Sequence, residues 1–479
     1  MDAEVGRHIN HEFLSANGIA PLEEGEDFVK FACLKEDAYL KELLERALGK
    51  KVIFELVDQE KLKNILEDPI SIGLELEALS EDALDEKKLE NIAEEAPIVK
   101  FVNDTIKDAI MRSATDIHIE QFENHVVVRY RIDGILYTVR EYPKYIAPPV
   151  ISRIKILSRL NIAEKRLPQD GKLSYSLNGQ DYDIRVSTVP SVHGEGVVLR
   201  ILKRGEINLS LHTLGFREQD VDALLSFIRK PYGMILVTGP TGSGKTTTLY
   251  ACMKEINTGQ KKIITVEDPV EYNLRGVVQI QVMPKIGLTF ANALRNILRQ
   301  DPDVIMIGEI RDLETASIAV QASLTGHLVL ATLHTNDAAS AFTRLIDMGV
   351  EEFLLASAVV GVISQRLVRK VCPNCIYEYK PTTFEEEVLK MNGIERPQKL
   401  YKGKGCERCN NTGYSGRTVI GEVLKVTEDI RSLVVKKSDA GKIKEQAIKD
   451  GMVPLLKDGL LKAVEGITTV EEILRVYRD

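Results

Sequence analysis

The 479-residue chain lacks an apolar run long enough to cross a bilayer, because Leu354–Ser364 falls well short of the roughly 20 residues a membrane helix requires. Its opening, MDAEVGRHINHEF, has neither a basic leader nor an apolar core, so no secretory signal is expected and a cytoplasmic location is. Low-complexity segments are missing and no unit of roughly 20 to 50 residues recurs, which excludes solenoids and propellers. Positive charge is also short. With 63 Lys and Arg against 71 Asp and Glu, the net charge is −8, and no basic stripe interleaved with aromatics offers a nucleic-acid track.

What is present reads as a globular, multidomain protein: 44% of residues are apolar, 28% are charged, and the length exceeds what one core absorbs. The acidity is concentrated at the front, where residues 1–100 hold 25 acidic and 12 basic side chains. Residues 1–66 alternate short apolar runs (Phe28–Ala32, Val52–Val57) with helical segments (Asp37–Leu48, Gln59–Leu66), a small α/β module. The acidic stretch 67–97 predicts a solvated linker carrying at most short helices. Residues 98–204 predict an amphipathic helix, Ile98–Arg112, and alternating strands at His125–Arg131, Ile135–Val139, Lys172–Ser176 and Asp183–Ser187, hence an α+β domain. Beyond it, apolar strands at Met234–Thr238, Ile263–Val266, Val304–Ile307 and Leu328–Leu333 alternate with helices. That pattern predicts an α/β core over 205–367 with a mostly parallel sheet. A tetracysteine segment, 368–416, and a helical end, 417–479, complete the expected division.

Between the strand at 234–238 and the helix that follows lies Gly239-Pro240-Thr241-Gly242-Ser243-Gly244-Lys245-Thr246, the phosphate-loop pattern in its required strand-to-helix context. Glycines let backbone N–H groups wrap the phosphates of ATP, Lys245 reaches the β and γ oxygens, and the Thr246 hydroxyl is offered to Mg²⁺. Hydrolysis also needs carboxylates at strand ends, and Glu267-Asp268 and Glu309 stand at two of them. His334 follows one strand and His327 precedes it, either placed to sense the γ-phosphate. Arg295 and Arg299 share one helical face, whose default is solvation, whereas Arg185 and Arg200 sit in the preceding domain, where a cation could complete a neighbour's ATP site across an interface. Cys372, Cys375, Cys406 and Cys409 form two C-x-x-C pairs separated by 30 residues, a set suited to tetrahedral Zn²⁺ although the spacer is long for a compact ribbon. Cys33 and Cys252 have no partner, and Cys252 reads as packing.

Taken in order, ATDIHIE (114–120), the phosphate loop, ITVEDPVEY (264–272), LRQDPDVIMIGEIRD (298–312), TGHLVLATLHTNDA (325–338) and CERCNNTGY (406–414) closely resemble the traffic ATPases of type II secretion, the general secretory pathway E family within the secretion ATPase superfamily. The resemblance implies a RecA-like ATPase core and makes ITVEDPVEY an aspartate box, GEIRD a Walker B segment with Gly308 where other phosphate-loop enzymes place an acid, and the stretch around His334 a histidine box. It assigns Glu267, Glu309 and His334 to catalysis and leaves open which glutamate is the base, Glu267 being favoured with Glu309 positioning Mg²⁺ through water. It further implies a homo-hexamer in which Arg185 and Arg200 approach a neighbour's nucleotide. Residues 1–66 would dock on the cytoplasmic part of an inner-membrane secretion protein, the membrane being met only through that partner. Thr115 departs from the family's usual serine before Asp116, and Val419-Ile420-Gly421 replaces a glycine-initiated stretch. The absence of R-x-G-x-x-L repeats in residues 1–66 favours secretion over pilus assembly, and the acidic balance sets aside a nucleic-acid translocase.

Overall fold

The computed structural model describes residues 11–25, 27–66, 86–205, 210–395 and 397–478. These divide into two compact units, Met1–Gly205 and Glu206–Asp479.

The first unit holds two sheets. Strands β1 (Ile19–Glu24), β2 (Phe28–Cys33) and β3 (Lys51–Leu56) pair in that order, antiparallel and then parallel. Alternation along β2 buries Val29 and Phe31, which pack with Leu40 and Leu44 of the helix Ala38–Leu48. That helix starts where the Asp37 carboxylate accepts from the Tyr39 and Leu40 amides and ends at Gly49 in the left-handed region. The second sheet is fully antiparallel. Its strands are β4 (Ala114–Gln121), β5 (His125–Ile132), β6 (Ile135–Pro143), β7 (Gln169–Leu177), β8 (Gln180–Ser191) and β9 (Gly194–Lys203), ordered β6-β5-β4-β9-β8-β7. Ile117, Ile119, Val128, Ile184 and Leu199 line the face that shares a core with the helices Ala96–Met111 and Ala147–Ser158. The period of two sends Asp116, Arg131, Arg185 and Arg200 to the opposite face.

Within the stretch 67–97, the short helices allowed for are present over its described end. Residues 86–93 form a helix whose Leu89, Ile92 and Ala93 are buried at helical spacing, with Ile92 part of the six-stranded sheet's core, and Ala96 opens the next helix with Pro97 in its first turn. Residues 67–85 lie outside the described residues.

In the second unit seven strands form one sheet: β10 (Gly233–Thr238), β11 (Ile263–Glu267), β12 (Val277–Gln281), β13 (Val304–Ile307), β14 (Leu328–Leu333), β15 (Val359–Val371) and β18 (Tyr414–Lys425), ordered β12-β11-β13-β14-β10-β15-β18. All neighbours are parallel except β15 and β18. Apolar clusters cover both faces, one holding Leu249 and Met253 of the helix Lys245–Ile256, the other Ala319 and Phe342 of later helices. This is the doubly covered parallel sheet that buried, non-alternating strands dictate. The boundaries expected at 367/368 and 416/417 fall inside β15 and β18, because this long hairpin continues the main sheet before and after the cysteine segment. The hairpin's far end carries β16 (Ile376–Tyr379), the helix Thr383–Met391 with a Thr382/Glu385 capping box, and β17 (Leu400–Gly403). C-terminal helices close onto it through Leu455, Leu460 and Ile473 against Val368 and Ile420.

Candidate nucleotide and metal sites

Every residue of β10 is buried, and the chain leaves it through Gly239 at φ 144. A Cβ there would stand 2.5 Å from the Gln365 carbonyl oxygen, so only glycine fits. The loop closes on the helix Lys245–Ile256, whose N-terminal amides and dipole face the loop. The Lys245 ammonium donates to the carbonyls of Gly239 (2.8 Å) and Pro240 (3.0 Å). Burial pushes its pKa down to about 8, against the opposing pull of Glu309, with Arg366 adding to the depression.

Glu309 is held where β13 ends. The Gly308 amide donates to Val266 O (2.8 Å) and the Ile310 amide to Thr332 O (3.0 Å), pinning the turn between β11 and β14. Gly308 is closely packed: a Cβ there would meet Glu267 Cα at 3.3 Å. The Glu309 carboxylate pairs with Arg311 and lies 3.6 Å from His334 Nε2. Burial and the Lys245 charge hold the His334 pKa below its ordinary value, so its ring is neutral near pH 7. Lys245, Glu309, Arg311 and His334 thus form one electrostatic group at the carboxyl edge of the sheet.

Glu267 is placed differently. It is 2% exposed, and its oxygens accept from the Tyr250 and Thr265 hydroxyls and from Gln279 Nε2 at 3.1 Å. Gln279 also donates to Tyr272 O at 2.9 Å, closing a buried network between the phosphate-loop helix, β11 and β12. Of the two acids offered as base, Glu267 is the more enclosed. Both oxygens of Glu267 are committed to protein donors, whereas Glu309 shares the field of the loop lysine.

His327 lies at the opposite, amino end of β14, where its Nδ1 meets Ala322 O at 2.9 Å and closes a helix end. Arg295, on the exposed face of the helix Phe290–Ile297, pairs with Glu314, and the exposed Arg299 donates to Arg295 O at 2.7 Å. In the first unit, Lys172, Arg185, Arg200, Asp116 and Arg131 occupy one row across β7, β8, β9, β4 and β5. Like charges directly opposite repel, and Asp116 is the anion that offsets the row: it accepts from Arg200 Nε at 2.9 Å and from the Thr115 hydroxyl at 2.7 Å. Thr115 therefore supplies the hydroxyl expected of a serine. The Arg200 side chain remains 58% exposed, leaving the rest of its guanidinium open to solvent.

The Sγ atoms of Cys372, Cys375, Cys406 and Cys409 all lie within 4.8 Å of one another. Tetrahedral Zn²⁺ with bonds of about 2.3 Å needs sulfur separations of roughly 3.8 Å, so the donor set fits. The amides of Cys406 (3.2 Å) and Gly413 (3.3 Å) donate to Cys409 Sγ, as thiolate ligands require. The long spacer is explained by β16, the helix Thr383–Met391 and β17, which fold between the two pairs.

Sequence reasoning missed Gln365 and Glu422. Gln365 on β15 donates to Ser243 O and accepts from the Thr248 hydroxyl, while the Glu422 oxygens on β18 accept from the Ala338 amide (2.8 Å) and the Leu455 amide (3.0 Å). No local signal marks either, since each acts on backbone remote in sequence.

A RecA-like sheet with a strand-loop-helix phosphate cradle, an acidic strand end and a histidine at one edge defines the phosphate-loop ATPase class. The chain belongs to the Type II/IV secretion system protein family, whose model matches residues 91–475. It is 47% identical over 424 residues to a type II secretion system protein E of Aeromonas hydrophila, covering 88% of this chain and 84% of the relative. It is 46% identical over 460 residues to the type IV pilus assembly ATPase PilB of Thermus thermophilus, covering 95% of this chain and 49% of the relative. The solved structure of the pilus retraction motor PilT with bound ADP superposes with a TM-score of 0.54 at 28% identity, over 78% of this chain and 95% of that one. Among the described residues no helix is long and apolar enough to cross a membrane.

Proposed function

We propose that this chain is the ATP-hydrolysing motor of a type II secretion system, a cytoplasmic homo-hexamer that drives pseudopilus assembly and protein export. The observation that carries the choice of system is kinship: relatives named for type II secretion are 47% identical over 424 residues and 48% identical over 415 residues of this chain. The module within residues 1–66 supplies the docking surface for the cytoplasmic domain of an inner-membrane partner, through which the motor is held at the membrane.

At the site, the amides of Gly242, Ser243, Gly244, Lys245 and Thr246 and the Lys245 ammonium bind the ATP phosphates. The Thr246 hydroxyl and the Glu309 carboxylate are hard oxygen donors suited to Mg²⁺, which when bound neutralises charge on the phosphates. Glu309 orients the attacking water and draws its proton, the neutral His334 ring holds the γ-phosphate end, and Glu267 fixes β11 against the phosphate-loop helix. Arg185 and Arg200 bring positive charge to the neighbouring subunit's nucleotide. Zn²⁺ on the four cysteines closes a structural module.

The test is Lys245→Ala. Purified, the variant should keep its circular dichroism and less than about a tenth of wild-type ATP turnover. In the native cell it should trap exported proteins in the periplasm while leaving surface pili intact. Normal export, or loss of pili with export preserved, contradicts the assignment.

A further inference from the structure

The side chain that shapes the phosphate loop from outside it is Gln365, which is fully buried on β15. Its Nε2 donates to Ser243 O at 2.7 Å and its Oε1 accepts from the Thr248 hydroxyl at 2.8 Å, tying the loop and the first turns of its helix to one carboxamide. Two loop glycines leave it room: a Cβ on Gly244 would stand 3.2 Å from Gln365 Nε2, and one on Gly239 would strike the Gln365 carbonyl. In a trans peptide the C=O and the following N–H point in opposite directions. Holding Ser243 O toward β15 therefore turns the Gly244 N–H away from the strand, into the cradle where phosphate oxygens sit.

The anchor is itself braced. Gln365 pairs across the sheet with Gly421, whose amide donates to the buried Asp458 carboxylate at 2.8 Å. Asp458 in turn accepts from Lys462 at 2.7 Å within the helix Leu455–Val464. Buried hydrogen bonds thus lead from Gly421, the neighbour of Gln365 in the sheet, into the C-terminal helices.

We propose that Gln365 is a positioning residue of the nucleotide site, fixing the direction of the Gly244 amide through Ser243. The inference rests on the ATPase reading given above. It is tested on the full-length protein with Gln365→Glu, Gln365→Leu and Thr248→Val, measuring the dissociation constant of a fluorescent ATP analogue, ATP turnover and the thermal midpoint. Gln365→Glu keeps the volume and the Thr248 bond but loses the donor to Ser243, so the dissociation constant should rise at least about tenfold, the scale of one orphaned buried group. Gln365→Leu should do the same. Thr248→Val, which leaves the Ser243 bond intact, should weaken binding no more than about threefold even if its thermal midpoint falls as far. A residue that only fills space would make affinity follow the thermal midpoint across all three variants, and that result overturns the proposal. So does affinity within about twofold of wild type for a folded Gln365→Glu. Gln365→Met, close in volume, replaces the leucine variant if the latter does not fold. Wild-type protein that neither binds nor hydrolyses ATP would defeat the ATPase reading; active wild type with unaffected Gln365 variants defeats this inference alone.

Discussion

Glu309 presents its carboxylate to Lys245, Arg311 and His334, whereas Glu267 commits both oxygens to Tyr250, Thr265 and Gln279. Their replacements should therefore differ. Glu309→Gln keeps the shape but not the base, so turnover should fall about 10²-fold or more with nucleotide affinity within a few-fold. Glu267→Ala should instead lower stability by about 1–3 kcal/mol by orphaning buried donors, and Glu267→Gln should keep turnover within about tenfold. Rates for the purified variants decide this, and a Glu267→Gln enzyme as inactive as Glu309→Gln would return the base to Glu267. Lys245 adds a pH signature. Its pKa in the fold, about 8, lies below the ordinary 10.5, so between those values the unfolded chain holds more protons and stability rises with pH; below 8 that gain is absent. Phosphates favour the cation, so ATP-analogue affinity should weaken as pH climbs through about 8, with proton uptake on binding seen by calorimetry in buffers of different ionisation enthalpy. Lys245→Arg, charged throughout, should lack the step. The sequence made the loop and its lysine plain because their spacing is local. It favoured Glu267 without settling which of the two acids at strand ends is the base, since burial is decided by Tyr250 and Gln279 on other elements. Gln365 was invisible for a like reason, its partner Ser243 lying 122 residues away.

The elements divide in the same way. Buried runs made β10, β11, β13 and β14 legible, and matched cysteine pairs made the metal module legible. The hairpin β15/β18 was not, because its antiparallel pairing spans the whole cysteine segment and only the folded sheet reveals that the proposed domain limits cut through strands. Acidic composition allowed only short helices over 67–97 and left their place open, although Leu89 and Ile92 of the helix 86–93 follow helical spacing. The cysteine module is small, with a two-stranded sheet and one helix, and the metal is expected to supply much of its stability. Protein purified without chelators should carry one zinc per chain by elemental analysis. Stripping it should expose the four thiols to titration and disorder the hairpin tip while the main sheet persists. Stoichiometric absence of zinc with all four thiols reactive from the start contradicts the assignment.

At the scale of the whole molecule, the two units carry complementary halves of one account: a phosphate cradle in the second, and in the first a row of cations around Asp116 with Arg200 half open to solvent. Hydrolysis is proposed to be completed by a neighbouring subunit's arginine. The measurement that tests it most directly is the ATPase rate of mixed assemblies. Arg200→Ala alone should lower turnover about 10²-fold or more while affinity falls much less, as loss of a transition-state cation does. Mixing Arg200→Ala with Lys245→Ala chains creates interfaces where an intact Lys245 meets an intact Arg200, and activity should rise well above the sum of the two parents. If differently tagged chains co-purify, proving that mixed assemblies form, and activity never exceeds that sum, the arginine does not act on its neighbour and the account is wrong.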